Sequence, residues 1–261
     1  MKFGMPTLVE CESLEACAGV ASELALDFVE INMSFPEYTP GNFDISEAKR
    51  IAGKYGLFYT IHADEYLNPF DFNREVSECY FSVMRKTIRC ALEISAKVIN
   101  LHLQKGIYVT LPGKVILLSD VRRDEYMTRV RDFIELCEQE IGDSDLKIAI
   151  ENVDSNPFTV SQLEALELFM QSPVFALTCD TGHECMLNYT DTPVFMKYPE
   201  KIVHMHLHDC KDKKPHLPLG VGEVDIDGKM ATLKGETCLI EVKTVSGLVE
   251  SVEYLRKFGK I

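Results

Sequence analysis

Four of the seven histidines fall within residues 202–223, IVHMHLHDCKDKKPHLPLGVGE: His204, His206, His208 and His216. The stretch begins with β-branched Ile202 and Val203, and then His alternates with Met205 and Leu207. Side chains alternate faces along a strand, so His204, His206 and His208 are expected to point the same way. A strand that lines one face with imidazoles and then breaks at Asp209, Lys211, Gly220 and Gly222 is expected to end at a polar site. The other three histidines, His62, His102 and His183, lie at or just beyond the ends of other apolar runs, as do Glu151, Asp180 and Glu241. Imidazoles and carboxylates together bind divalent cations and move protons. Each has a plain alternative when taken alone. A histidine can be a hydrogen-bonded core residue, Asp180–Gly182 can be a turn, and Glu241 can pair with Lys243. Taken together, six of eight predicted strands end in a metal-ligand residue type.

Those strands are short apolar runs alternating with helical patterns. The strands are Lys2–Met5, Phe28–Asn32, Leu57–His62, Val98–Leu103, Leu146–Glu151, Val174–Asp180, Ile202–His208 and Cys238–Val242. Between them the helical spacing of apolar residues predicts helices. One spans Ser13–Leu26, one starts at an Asp44/Glu47 cap and stops at Gly56, and others run through Val76–Ala91, Tyr126–Ile141 and Val160–Met170. A last helix carries Leu248, Val252 and Leu255. Eight strands alternating with helices in 261 residues point to an α/β fold, a (β/α)8 TIM barrel forming one domain over residues 1–261. A barrel gathers the C-terminal ends of its strands at one mouth, so residues scattered over the chain would face a common centre. Three carboxylates and several imidazoles without a matching cluster of Lys or Arg cannot share a buried mouth as free charges. A bound divalent cation resolves this. The mixed nitrogen and oxygen set suits zinc or manganese, and the number of histidines leans toward zinc.

The net charge of −14, from 27 Lys and Arg against 41 Asp and Glu, disfavours a nucleic-acid partner. Arg122, Arg123, Arg129 and Arg131 form a modest basic cluster, read as a solvated helix face. No GxGxxG follows the first strand and no GxxxxGK[ST] occurs, which argues against nucleotide-binding α/β folds. The absence of a signal peptide pattern or a long apolar run predicts a cytoplasmic protein without a membrane partner. Nine scattered cysteines without a CxxC are read as buried thiols in a reducing compartment. A homo-oligomer is compatible with the sequence.

The phrases TIHADEYLNP (60–69), NLHLQKG (100–106), IAIENV (148–153), CDTGH (179–183), HMHLHDCK (204–211), HLPLGVGEVD (216–225) and LIEV (239–242) resemble the xylose isomerase-like barrel superfamily. It includes sugar and sugar-phosphate isomerases and epimerases, inosose dehydratases, and the endonuclease IV type of AP endonuclease. In the epimerase branch the resemblance implies one metal ion held by Glu151, Asp180, His206 and Glu241. It also implies that Glu151 and Glu241 act as a catalytic acid/base pair through an enediolate on a sugar-like small molecule. His183 and His216 would bind substrate, and Glu30 and Asn32 would meet its hydroxyls. In the endonuclease branch His62 and His102 with Glu151 would hold a second ion, and His183 and His216 a third. Lys214 stands where that third site expects an aspartate, and the nearest acid is Asp212. This departure, with the negative charge, favours a metal-dependent isomerase or epimerase over a zinc phosphodiesterase cleaving DNA at abasic sites.

Overall fold

A computed structural model describes residues 1–153, 155–232 and 235–261. Eight parallel strands close into a barrel: β1 (Lys2–Pro6), β2 (Phe28–Asn32), β3 (Phe58–His62), β4 (Val98–His102), β5 (Lys147–Glu151), β6 (Phe175–Asp180), β7 (Ile202–Leu207) and β8 (Thr237–Ile240). Each pairs with its neighbours in chain order, and β1 closes the ring on β8. The chain is a (β/α)8 barrel, with all eight expected strands present and their ends within two residues of the expected positions.

The intervening helices start and stop where local chemistry dictates. Ser13 caps the helix Leu14–Glu23, its hydroxyl accepting the Ala16 N–H at 3.1 Å. Asp44 caps Ile45–Tyr55 in the same way, and Gly56, at φ +67°, ends that helix in the left-handed conformation that glycine adopts without strain. Thr159 and Gln162 form a reciprocal capping box on Val160–Gln171. Outward-facing strand residues such as Val29, Ile31, Tyr59, Ile61, Ile99 and Leu177 are fully buried against these helices. Each such side chain contributes about 1.5–3 kcal/mol on leaving water. Period-two alternation turns the other face of each strand into the barrel. There the residues are largely polar: Glu30, Thr60, Asn100, Thr178, His204 and Thr237 are all at least 95% buried.

Two antiparallel hairpins stand outside the barrel, Tyr108–Leu111 with Lys114–Leu117, and Asp209–Lys211 with Lys214–Leu217. The sequence reading did not separate them, because strands of three or four residues show too little alternation to register. The second turns through Asp212 and Lys213, both at positive φ, the tight geometry of a two-residue hairpin loop. Among the described residues no helix is long and apolar enough to cross a membrane.

Candidate metal centre and active site

Strand register does the first part of the assembly. His102 on β4 lies opposite Glu151 on β5, and Asp180 on β6 lies opposite His206 on β7. Glu241 follows β8 directly, its N–H donating to the Leu207 carbonyl at 3.0 Å, which holds it beside the end of β7. The barrel then brings the four expected ligands to one point. Nδ1 of His206 is 3.2 Å from Glu151 Oε1, 3.2 Å from Glu241 Oε2 and 3.7 Å from Asp180 Oδ2. One ligand atom from each residue lies within 4.8 Å of all the others. All four side chains are buried.

Three of these atoms, Glu151 Oε1, Glu241 Oε2 and His206 Nδ1, have no hydrogen-bond partner. Buried polar atoms are rarely left unpaired, and unpaired carboxylate oxygens gathered at one point are the more costly case. The remaining oxygens of the two glutamates are anchored: Glu151 Oε2 accepts from Asn100 and His102, and Glu241 Oε1 from Lys243 at 2.8 Å. Each glutamate therefore has one held oxygen and one free oxygen aimed at the same centre. A divalent cation fits this donor set of three carboxylates and one imidazole.

Charge balance without a cation falls on the histidines. Burial alone pushes the carboxyl pKa values of Glu151 and Glu241 up. His206 and His102 around Glu151, and Lys243 and His206 around Glu241, overcome this and hold both well below the usual range. Burial likewise pulls His206 down, but Glu151, Glu30 and Glu241 raise it well above its ordinary value. His62 is raised to about 9, the pull of Glu151 outweighing burial, and His183 to about 10, chiefly by Asp180 against burial.

His62 and His102 converge on the far oxygen of Glu151, at 3.6 and 3.0 Å from Oε2. Nδ1 of His62 donates to the Ala63 carbonyl at 2.8 Å, which leaves Nε2 facing Glu151. His183 and His216 stand on the opposite side of the mouth, ring centroids 5.5 Å apart. Asp180 caps the short helix Thr181–Met186, and this places His183 one turn from Asp180. His183 Nδ1 faces the Asn152 carbonyl at 3.0 Å and His216 Nδ1 the Glu241 carbonyl at 3.2 Å, so both turn Nε2 toward the cavity. That cavity, of about 510 Å3, is lined by His62, His102, His183, His216, Glu241 and Lys243. Asn32 and Phe35 line its extension of about 300 Å3.

Glu30 and Asn32, expected to meet substrate hydroxyls, both line that extension and are both held by neighbouring groups. Glu30 is 1% exposed beneath His206. Its Oε2 accepts from Thr60 at 2.8 Å and faces His204 Nε2 at 3.1 Å, and its Oε1 lies 3.2 Å from His206 Nε2. Asn32 reaches the cavity wall, but its amide donates to Glu65 and accepts from the Ser34 N–H. The Gly220–Gly222 loop also has no free N–H groups at those glycines: both donate to the buried Asp209 carboxylate, as do Val224 and Cys210. His208 was absent from the expected ligands and substrate contacts, yet it is fully buried with Nε2 3.0 Å from Asp180 Oδ1. Its alternation with His204 and His206 was the one signal for it.

The xylose isomerase-like TIM barrel family matches residues 18–258. The chain belongs to that family. Solved structures of similar fold include a D-tagatose 3-epimerase-like protein, 24% identical, with a TM-score of 0.77 over 100% of this chain and 97% of that one. A 3-keto-D-glucoside 4-epimerase from E. coli is 15% identical, with a TM-score of 0.76 and full coverage of both chains. A D-allulose 3-epimerase from Methylomonas sp., solved in complex with D-allulose, is 13% identical, with a TM-score of 0.73 over 100% of this chain and 96% of that one. No curated protein matches the sequence. Lys214, where the endonuclease-branch resemblance implies an aspartate, is exposed, and His208 stands with His183 and His216 in a group of three imidazoles.

Proposed function

We propose that the protein is a divalent-metal-dependent isomerase or epimerase of a sugar or sugar phosphate, with Glu151 and Glu241 as the proton-transferring pair. The observation that carries this reading is the matched state of the two glutamates, each with one anchored oxygen and one unpartnered oxygen at the same buried centre. Glu151, Asp180, His206 and Glu241 would hold zinc or manganese. The cation, when bound, supplies the Lewis acidity that acidifies the hydrogen next to a ketose carbonyl and stabilises the enediolate.

The chain's own groups supply the rest. One glutamate, as the carboxylate its cationic neighbours favour, removes the proton, and the other, entering the step protonated, delivers its own proton to the opposite face; the two have then exchanged protonation states, and exchange with solvent resets them. Lys243 holds Glu241, and Asn100 with His102 holds Glu151, so neither carboxylate swings away from the substrate. His183 and His216 present Nε2 to substrate oxygens. Burial of the four ligands excludes water that would protonate the intermediate. The solved sugar epimerases of the same fold support this substrate class.

The test is solvent-deuterium incorporation into a panel of ketoses and keto-sugars by the metal-loaded chain, with Glu151→Gln and Glu241→Gln as controls. Exchange next to the carbonyl that both variants lose is expected. Turnover unaffected by either substitution would contradict the assignment.

A second reading, an endonuclease IV-like zinc phosphodiesterase, is favoured by the convergence of His62, His102 and Glu151, which would hold a second ion. Its nucleic-acid surface finds less support. Arg123 pairs with Glu164 and Arg129 lies near Glu78. Two ions per chain together with cleavage of abasic-site DNA would select it.

A further inference from the structure

His208 is grouped in space with His183 and His216, and three imidazoles so close invite the reading of another metal site. The protons say otherwise. The main-chain N–H of His216 donates to His208 Nδ1 at 2.8 Å. Nδ1 also lies 3.2 Å from the Asp209 carbonyl, but a main-chain amide keeps its proton at any working pH and its contact is the shorter, so Nδ1 is assigned as the acceptor and the ring proton to Nε2. Nε2 lies 3.0 and 3.1 Å from the two oxygens of Asp180, so the N–H points into that carboxylate and no lone pair is left for a cation.

We propose that His208 is a positioning residue. It fixes the Asp180 carboxylate and ties it to the mouth hairpin, resting on the reading above that Asp180 is a metal ligand. Three features of the chain are built around it. Gly182 leaves room for the ring, because a Cβ there would fall on its atoms. Asp180 receives a second donor from the other side, the His183 N–H at 2.7 Å, so its orientation is fixed by two N–H groups. His216 sits at φ +57°, a left-handed conformation that strains a non-glycine residue, and that conformation accompanies both contacts. Its main chain meets His208, while its ring lines the substrate cavity and packs 4.3 Å from the His208 ring. A ligand that moves His216 is therefore felt at Asp180 through one imidazole.

Two substitutions separate the two contacts. In His208→Asn the amide oxygen takes the place of Nδ1 and keeps the His216 link, but nothing reaches Asp180. In His208→Gln the amide nitrogen takes the place of Nε2 and still donates to Asp180. Competition calorimetry with a chelator is expected to show metal affinity within about threefold of wild type for His208→Gln and a loss of about 10–100-fold for His208→Asn. Long-range 15N–1H spectra of the metal-free chain are expected to place the His208 proton on Nε2, and cadmium-113 loading to give no coupling to either of its nitrogens. Unchanged affinity in His208→Asn, a proton on Nδ1, or cadmium coupling to His208 would overturn the inference. The tautomer measurement needs no metal. A wild-type chain that binds none would defeat the catalytic reading, while the His208 inference would still be decided by the position of its proton.

Discussion

Two layers of one barrel are built from the same residue types and reach opposite states. In the lower layer Thr237, His204, Glu30 and Thr60 form a chain: Thr237 Oγ1 lies 2.6 Å from His204 Nδ1, His204 Nε2 lies 3.1 Å from Glu30, and Thr60 donates to the same oxygen. His204 is pulled below its ordinary pKa by burial and stays neutral, and its contacts with Thr237 and Glu30 are compatible with one tautomer. In the layer above, His206 meets Glu151 and Glu241 at atoms that no hydrogen bond satisfies. Hydroxyls beside His204 and Glu30 give both of these lower-layer groups a partner, although Thr178 Oγ1 in the same layer has none. Three carboxylates around one imidazole leave the upper layer with unpaired atoms that a cation would satisfy. Buried histidines and acids do not identify a site; unpaired atoms aimed at one point do.

The largest effect expected from breaking this contrast is in the upper layer. Glu151→Gln removes a ligand charge and a proton-transfer group together, and is expected to lower kcat by about 10³-fold or more, read by the deuterium-exchange assay. The matching change in the lower layer is Thr237→Val, which leaves His204 Nδ1 without its partner. It is expected to cost about 1–3 kcal/mol in urea unfolding while leaving turnover nearly unchanged. The contrast fails if Thr237→Val abolishes activity in a chain that remains as stable as wild type.

The barrel and the convergence of Glu151, Asp180, His206 and Glu241 were legible because strand ends are marked in sequence by a residue type that contradicts its apolar run. Glu151 closing LKIAI and Asp180 closing VFALTC are examples. What was not legible is which strand residues lie at the candidate centre and which lie one layer below. Glu30 and His206 both sit on inward faces, and only the relative stagger of β2 and β7 puts one beneath the other. His208 was hidden for a different reason. Its role depends on a proton fixed by the His216 main chain, in a hairpin whose strands are too short to show a pattern.

The pH dependence sharpens the same contrast. In the metal-free chain His62 at about 9 and His183 at about 10 bind protons more tightly than an unfolded histidine near 6.5. That stabilisation is fully present below the unfolded value and is lost as pH rises through about 9–10. Ligation needs His206 neutral, so metal uptake is expected to release protons. Apparent affinity is then expected to rise by about tenfold per pH unit for each proton released, measured by calorimetry in buffers of different ionisation enthalpy. The lower layer contains no such step, because His204 is already neutral.

The smallest effect is expected at the rim. Lys243 is half exposed and holds Glu241 ionised. Lys243→Met is expected to move the acid limb of the kcat/KM profile to higher pH, with only a few-fold loss at the optimum. An unmoved acid limb would separate Lys243 from the control of Glu241.

The most direct measurement is the metal content of the chain purified without chelator, beside Asp180→Ala and Thr237→Val prepared in parallel. One zinc or manganese per chain in wild type and Thr237→Val, and none in Asp180→Ala, is the expected result. A wild-type chain that holds no divalent ion even after zinc and manganese are supplied would contradict the metal centre.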